Sequence, residues 1–244
     1  VSTLVHAQDL LVPAKTELPS HFSYRLMETE AEKEEIFQLR YRAYLHEGAI
    51  LPRPDHRLTD RFDDQPNSWI FGIYAEGHLA SSIRISVATR AVPLTPAVDA
   101  FGDILQPELD AGKVIVDPNR FVADPSREKR WPELPYVTVR LGYVACAHFS
   151  ADIGTATVRK EHQAFYRRVF LQRVLCDPRP YPTLTKPLSL MAADYVEVRE
   201  RIFQRYPYFR STPAERQRLF SRRLPRLHAP VVHLPEPSTA SLAP

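Results

Sequence analysis

Residues 68 to 89, "SWIFGIYAEGHLASSIRISVAT", restrict the fold more than any other stretch of the chain. Two runs rich in β-branched and aromatic residues flank Glu76-Gly77, a two-residue turn signal, so an antiparallel hairpin is expected. The first run is apolar on both faces, which places it inside a covered sheet. In the second, Ser82, Arg84 and Ser86 share one face by the two-residue strand period. Arg84 is then a charge in a small-residue patch of a central sheet, where burial demands a partner or a ligand. A third buried strand begins at "VIVDPNRFVAD", residues 114 to 124, with Asp117 and Arg120 three positions apart. That spacing suggests a reaction site at the end of a central strand; a plain Asp117 to Arg120 ion pair is the structural alternative.

Helical patterns alternate with these strands, which gives an α/β class. Thr29-Glu30-Ala31-Glu32 is a T-x-x-E capping box and opens a helix running to about Glu47. Ile36, Leu39, Arg40, Ala43 and Tyr44 fall on one face of it, so Arg40 and Tyr44 share the stripe that meets the core. The loop "ILPRPDHRLTDRFDDQPNS" follows, with Asp60, Asp63 and Asp64, and loops of such length are often functional. Another proline-containing stretch leads to the third strand and reads as a connection. Beyond it come a helix "YVTVRLGYVACAHFSA", a strand "DIGTATVR", a helix "KEHQAFYRRVFLQ", strands near "RVLCD" and "PLSLMA", and helices over 194–205 and 213–222. The expected organisation is an N-terminal arm (1–22), a central domain (23–192), a helical extension (193–228) and a tail (229–244). The tail has four prolines and no period, and reads as disordered.

Composition excludes several classes. Apolar content of 44% and charged content of 25% are those of a soluble globular chain. No apolar run approaches the ~18 residues needed to span a bilayer, and no signal-peptide pattern is present, so a cytoplasmic protein is expected. Two cysteines, Cys146 and Cys176, make no disulfide framework. The glycines never fall as GxG, and HExxH, CxxC, EF-hand and G-x-S-x-G patterns are absent, which leaves no dinucleotide, P-loop or metal site to expect. Net charge is only +3, yet nine arginines stand from Arg199 to Arg226 inclusive. Arginine suits phosphate and carboxylate, so these form either a surface for an acidic partner or solvated helix faces. No role with nucleic acid is expected.

"FQLRYRAYLHEG", "DRFDD", "SSIRI" and "VDPNRF" stand in the order found in acyl-homoserine lactone synthases. More closely, "DRFDDQPNS", "VDPNRFVADP" and "VRKEHQAFYRRVF" resemble the long-chain N-acyl amino acid synthases, which share that fold within the GNAT acyltransferase superfamily. The resemblance runs from about residue 23 to 222. It implies a GNAT fold, a mixed central sheet flanked by helices, and transfer of a long-chain acyl group from acyl carrier protein to the amine of an amino acid. It further implies no tightly bound cofactor, acyl-phosphopantetheine as donor, and contact with a membrane surface through the acyl product. By position it assigns Arg40, Asp60, Asp63, Arg84, Asp117 and Arg120 to the site. Asp117 stands where the lactone synthases have glutamate and Ile50 where they have an aromatic residue. A lactone synthase using S-adenosylmethionine is therefore the alternative, alongside a noncatalytic carrier- or lipid-sensing module. The GNAT pyrophosphate signature, R/Q-x-x-G-x-G/A, is absent, which favours a carrier protein over coenzyme A.

Roles follow from the chemistry of amide formation. Asp117 is a candidate base and His162 an alternative; Tyr166 is a candidate acid for the leaving thiolate. Backbone N–H groups near Phe121 and Val122 are candidates for the oxyanion. Arg84, Arg120 and Arg40, with Asp60 and Asp63, form either a carboxylate clamp or an internal network. Arg127, Lys129 and Arg130, ahead of a helix N-terminus, are candidates for the phosphate or acidic helix of the carrier. Direct attack in a ternary complex is expected, with acylation of Cys146 as the ping-pong alternative.

Overall fold

The computed structural model describes residues 18–127, 130–181 and 183–221. The strands are β1 (Phe22–Leu26), β2 (Ser68–Ala75), β3 (His78–Ala88), β4 (Ile115–Ala123), β5 (Ile153–Val158), β6 (Arg173–Val174) and β7 (Ser189–Asp194). The helices are α1 (Glu30–His46), α2 (Pro96–Asp110), α3 (Leu134–His148), α4 (Gln163–Phe170), α5 (Tyr195–Arg205) and α6 (Pro213–Phe220). One sheet in the order β1-β2-β3-β4-β5-β7-β6 holds all these strands, and only β4 and β5 pair in parallel. α1 and α2 cover one face and α3, α5 and α6 the other. No helix among the described residues is long and apolar enough to cross a membrane. Most of the expected arm and the whole tail lie outside the described residues.

Local sequence explains most of these elements. The β2–β3 turn places Glu76 at φ 51° and Gly77 at φ 80°, the doubly positive conformation that matches strand twist. Thr29 caps α1 as expected: its Oγ1 accepts from the Glu32 N–H at 3.2 Å, and Glu32 Oε2 accepts from the Thr29 N–H at 3.0 Å. The stretch read as a connection before β4 is instead a helix, α2. Thr95 caps it, Pro96 sits in its first turn where no N–H is needed, and Ala97, Phe101, Leu105 and Leu109 recur every four residues on the buried side. The chain is non-helical at Phe101, and Pro107 lies inside the helix, which blurs the pattern in the sequence.

α3 is buried almost all round from Leu134 to Cys146. Its outer side is covered by α5, α6 and the turn between them, so residues 193–221 share the main core. Arg140 on α3 fastens that cover, donating to the Tyr208 and Arg210 carbonyls at 2.7 and 2.8 Å and to Glu215 at 2.7 and 2.9 Å. On the sheet side, Gly142 allows α3 to lie directly on β4. A Cβ there would stand 2.8 Å from Pro118 Cγ.

β4 and β5 pair only at Ile115 with Ile153 and at Val116 with Gly154, and then part. Pro118, which has no N–H to offer a ladder, stands just past that point. On its other side β4 stays paired with β3 through a bulge, where Arg120 and Phe121 oppose Ile83 alone. Arg120 takes the left-handed conformation there, at φ 51°. For a side chain other than glycine this costs about 1 kcal/mol or more.

Candidate active site

A cavity of about 650 Å³ occupies the opening between the parted strands, within the ~300–1,000 Å³ range of small-molecule sites. β4 contributes Pro118 to Ala123, α1 contributes Ala43 and Tyr44, and α4 contributes Phe165 and Tyr166. A strap ahead of β7 that carries Tyr181, Leu184 and Lys186 forms a further part of the wall. The strap is tied to the end of α1 by three contacts. The Thr185 N–H donates to the Ala49 carbonyl at 2.9 Å, Thr185 Oγ1 to the Gly48 carbonyl at 3.0 Å, and Lys186 Nζ to the Glu47 carbonyl at 2.9 Å.

Behind the Arg120 wall lies an arginine and aspartate network drawn from four elements. Arg84 donates to Asp60 at 2.6 and 3.1 Å, to Asp63 at 2.6 Å and to Asn119 at 2.7 Å. Arg40 donates to Asp63 at 2.7 Å; Arg120 donates to Asp60 at 2.6 and 3.0 Å and to Thr183 Oγ1 at 3.2 Å. Burial alone would push the Asp60 carboxyl up, but hydrogen bonds and charge from Arg84 and Arg120 outweigh it and hold it well below the usual range. Three guanidiniums thus share two carboxylates through direct hydrogen bonds, and Asp117 acts on Arg84 through space. Arg120 Nη1, Arg40 Nε and Arg40 Nη2 have no hydrogen-bond partner within the described structure. Of the arginines and aspartates of the network, Arg120 alone lines the cavity.

The acid and base of β4 do not pair with each other. Asp117 is fully buried and does not line the cavity; its Oδ2 accepts from the Ala97 N–H at 2.9 Å, beneath the start of α2. Arg120 turns to Asp60 instead. Burial pushes the Asp117 carboxyl up to about 6, partly offset by the Ala97 N–H and the charge of Arg84. The ion pair that is the alternative reading of the spacing is not formed: three residues along a strand, with a bulge between, carry the two side chains to different partners. Tyr166 does line the cavity, and burial raises its phenol well above the usual range, so it keeps its proton at neutral pH.

His162 lies on the cavity wall with Nε2 2.7 Å from Arg159 Nη2. Burial and the Arg159 charge lower its pKa, so the imidazole is neutral near pH 7. Arginine can only donate, so Nε2 accepts and the proton sits on Nδ1, which leaves no lone pair for a second proton. The two carboxylates on the cavity wall, Glu47 and Glu161, both pair with Arg159. Phe121 and Val122 line the cavity. Of the expected carrier contacts, Arg130 pairs with Glu76 of the hairpin turn, and neither Arg127 nor Arg130 lines the cavity. Lys129 lies outside the described residues. Cys146 is buried in the core, with its thiol pushed up to about 12 by burial.

Sequence reasoning missed Tyr181, Arg159 and the strap as parts of the site. Tyr181 carried a signal, since it stands between Pro180 and Pro182 in a segment without strand or helix periodicity. Arg159 carried none.

A model of the N-acyl amino acid synthase FeeM family matches residues 35–194. No curated protein sequence matches the chain. Among solved structures, FeeM, an N-acyl amino acid synthase from uncultured soil microbes, is similar with a TM-score of 0.63 at 15% identity, covering 75% of this chain and 96% of that one. BjaI, a CoA-dependent acyl-homoserine lactone synthase, gives 0.51 at 16% identity, covering 73% and 83%. FdhC, a nucleotide-linked sugar GNAT, gives 0.50 at 11%, covering 78% and 94%. These likenesses show the GNAT fold, with its parted parallel strands. The family match spans well over half of the sequence, and the chain belongs to the N-acyl amino acid synthase FeeM family of amide-forming acyltransferases.

Proposed function

We propose that this enzyme moves a long-chain acyl group from the phosphopantetheine of an acyl carrier protein to the amine of a free amino acid. The observation that carries the reading is one cavity that brings together Arg120, with an unpartnered Nη1, the phenol of Tyr166, and the edge of β4 that has left β5. Arg120 keeps guanidinium N–H groups free to donate, which suits the carboxylate of the acceptor. The amine nitrogen attacks the thioester carbonyl carbon, and N–H groups around Phe121 and Val122 meet the oxyanion. The C–S bond then breaks, and Tyr166 gives its proton to the leaving thiolate. The proton shed by the amine nitrogen passes through water in the cavity and restores the Tyr166 phenol, since both wall carboxylates are held by Arg159 and Asp117 is not on the wall. Direct transfer is favoured over an acyl-enzyme, because a thiol as hard to ionise as that of Cys146 is a poor nucleophile.

BjaI is CoA-dependent and a lactone synthase, so both the donor and the acceptor need to be tested. The enzyme is incubated with one acyl chain on carrier protein or on coenzyme A, together with mixed amino acids or S-adenosylmethionine. Products are read by mass spectrometry. An N-acyl amino acid made faster from the carrier is the expected result. Product only from S-adenosylmethionine, or thiol release with no amide, would reject the reading.

A further inference from the structure

We propose that the groove between α4 and α5, bordered by Arg168, Arg201 and Arg205, docks the acidic face of the carrier protein as its arm enters the cavity. The inference rests on the function proposed above and adds a location for the partner.

The groove is lined by these three arginines with Leu171, Gln204 and Tyr206 among its neighbours, and no carboxylate lines it. Arg201 and Arg205 are one turn apart on α5, and neither forms an ion pair among the described residues. Arg205 lies over the Tyr206 ring, 5.3 Å from its centroid. Arg168 has only a long contact to the Tyr136 hydroxyl, at 3.4 Å. Like charges at this spacing repel, so an anion seated among them gains what the fold leaves uncompensated.

Position supplies the second argument. Arg168 lines both this groove and the main cavity, so the basic surface reaches the place where a pantetheine arm would enter. The usual rival for a donor's phosphate, the N-terminus of α3, is poorly built for the task. Pro135 occupies its first turn and removes a donor, and Glu133 stands at the cap position with no side-chain cap bond. Nearby, Arg130 is already neutralised by Glu76. The donor's negative charge is therefore met on the α4–α5 side.

The test uses the full chain carrying Arg201→Glu and Arg205→Glu, two exposed residues that do not line the cavity. Wild type and variant are assayed with one acyl chain on three donors: carrier protein, coenzyme A and N-acetylcysteamine, the last lacking both protein and phosphate. With the carrier, kcat/KM is expected to fall at least about tenfold, mainly through KM, and the loss should shrink with added salt. The N-acetylcysteamine rate and the melting temperature should hold. Arg201→Ala with Arg205→Ala should give a smaller loss of the same kind. Unchanged carrier kinetics, or equal losses on carrier and N-acetylcysteamine, would overturn the proposal. An equal loss on carrier and coenzyme A would assign the patch to nucleotide phosphates and overturn it as well. Loss of binding to anionic phospholipid vesicles with carrier kinetics intact would assign it to a membrane and likewise overturn it. If wild type made no amide from any donor, the proposed function would fail. Carrier affinity by fluorescence anisotropy would still decide the docking surface, and equal affinity in both proteins would overturn it.

Discussion

Two buried arginine clusters in this molecule look alike in composition and differ in balance. Around Arg140 every guanidinium nitrogen has an acceptor: Nε meets the Tyr208 carbonyl, Nη1 meets Glu215, and Nη2 meets Glu215 and the Arg210 carbonyl. The cluster of Arg40, Arg84 and Arg120 holds three positive charges against Asp60 and Asp63 and leaves N–H groups unmatched. The first fastens the C-terminal helices onto α3 and borders no part of the main cavity. The second reaches a cavity wall through Arg120. A buried guanidinium with every N–H matched is a fastening; one with an unmatched N–H beside a cavity is an invitation to an anion.

Removing Asp63 tests that contrast most severely. Asp63→Ala would leave Arg40, fully buried, with no carboxylate and take one of the two that Arg84 meets, and should cost about 4 kcal/mol or more of stability in urea unfolding. A loss under about 1 kcal/mol would mean that water or Asp60 replaces it. Arg140→Met should cost about 3 kcal/mol, by leaving two carbonyls and Glu215 without a donor. Its signature is early loss of protection over α5 and α6 in hydrogen exchange, ahead of the sheet. Uniform loss would mean that these helices do not depend on Arg140.

Asp117 offers a change of opposite sign. Its carboxyl is raised to about 6, so the native state binds this proton more tightly than the unfolded chain. The burial penalty is absent below about pH 4, grows as pH rises through 6, and reaches about 3 kcal/mol above it. Asp117→Asn keeps an acceptor for the Ala97 N–H and should be more stable than wild type by up to that amount at pH 7.5, with no gain at pH 4. A stability gap that ignores pH would show that the carboxylate is not charged in the fold. The smallest expected effect is about 2 kcal/mol in transition-state stabilisation, or roughly thirtyfold in kcat/KM, for Arg120→Met. Wild type should prefer an amino acid to its methyl ester, and this variant should lose the preference. If discrimination survives, another group reads the acceptor's carboxylate.

Much of the frame was legible in the sequence because local chemistry dictates it. The capping box at Thr29, the Glu76-Gly77 turn and the alternation of Ser82, Arg84 and Ser86 depend on neighbours a few residues away, and the structure follows them. α2 was missed because Pro93, Pro96 and Pro107 read as loop, although the first two precede or open the helix. The four-residue recurrence from Ala97 to Leu109 was the better guide. Among the site residues, the sequence nominated the arginines and aspartates but not their pairing. Asp117 and Arg120 are three apart in the chain, yet their partners come from α2 and from the loop at Asp60. Such pairing is set by which segments the topology brings together, and no local pattern encodes it.

The strap ahead of β7 is held to α1 through the carbonyls of Glu47, Gly48 and Ala49, and one of its three ties uses main-chain atoms alone. Anchoring of that sort is largely indifferent to the side chains the segment displays inward. Leu184 faces the cavity and also packs against Tyr41, Ile50 and Leu58, so exchanging it reshapes the wall at a cost in packing while the main-chain tie at Thr185 remains. The cavity can thus change its depth at the strap while Arg120 and Tyr166, held by β4 and α4, keep their places.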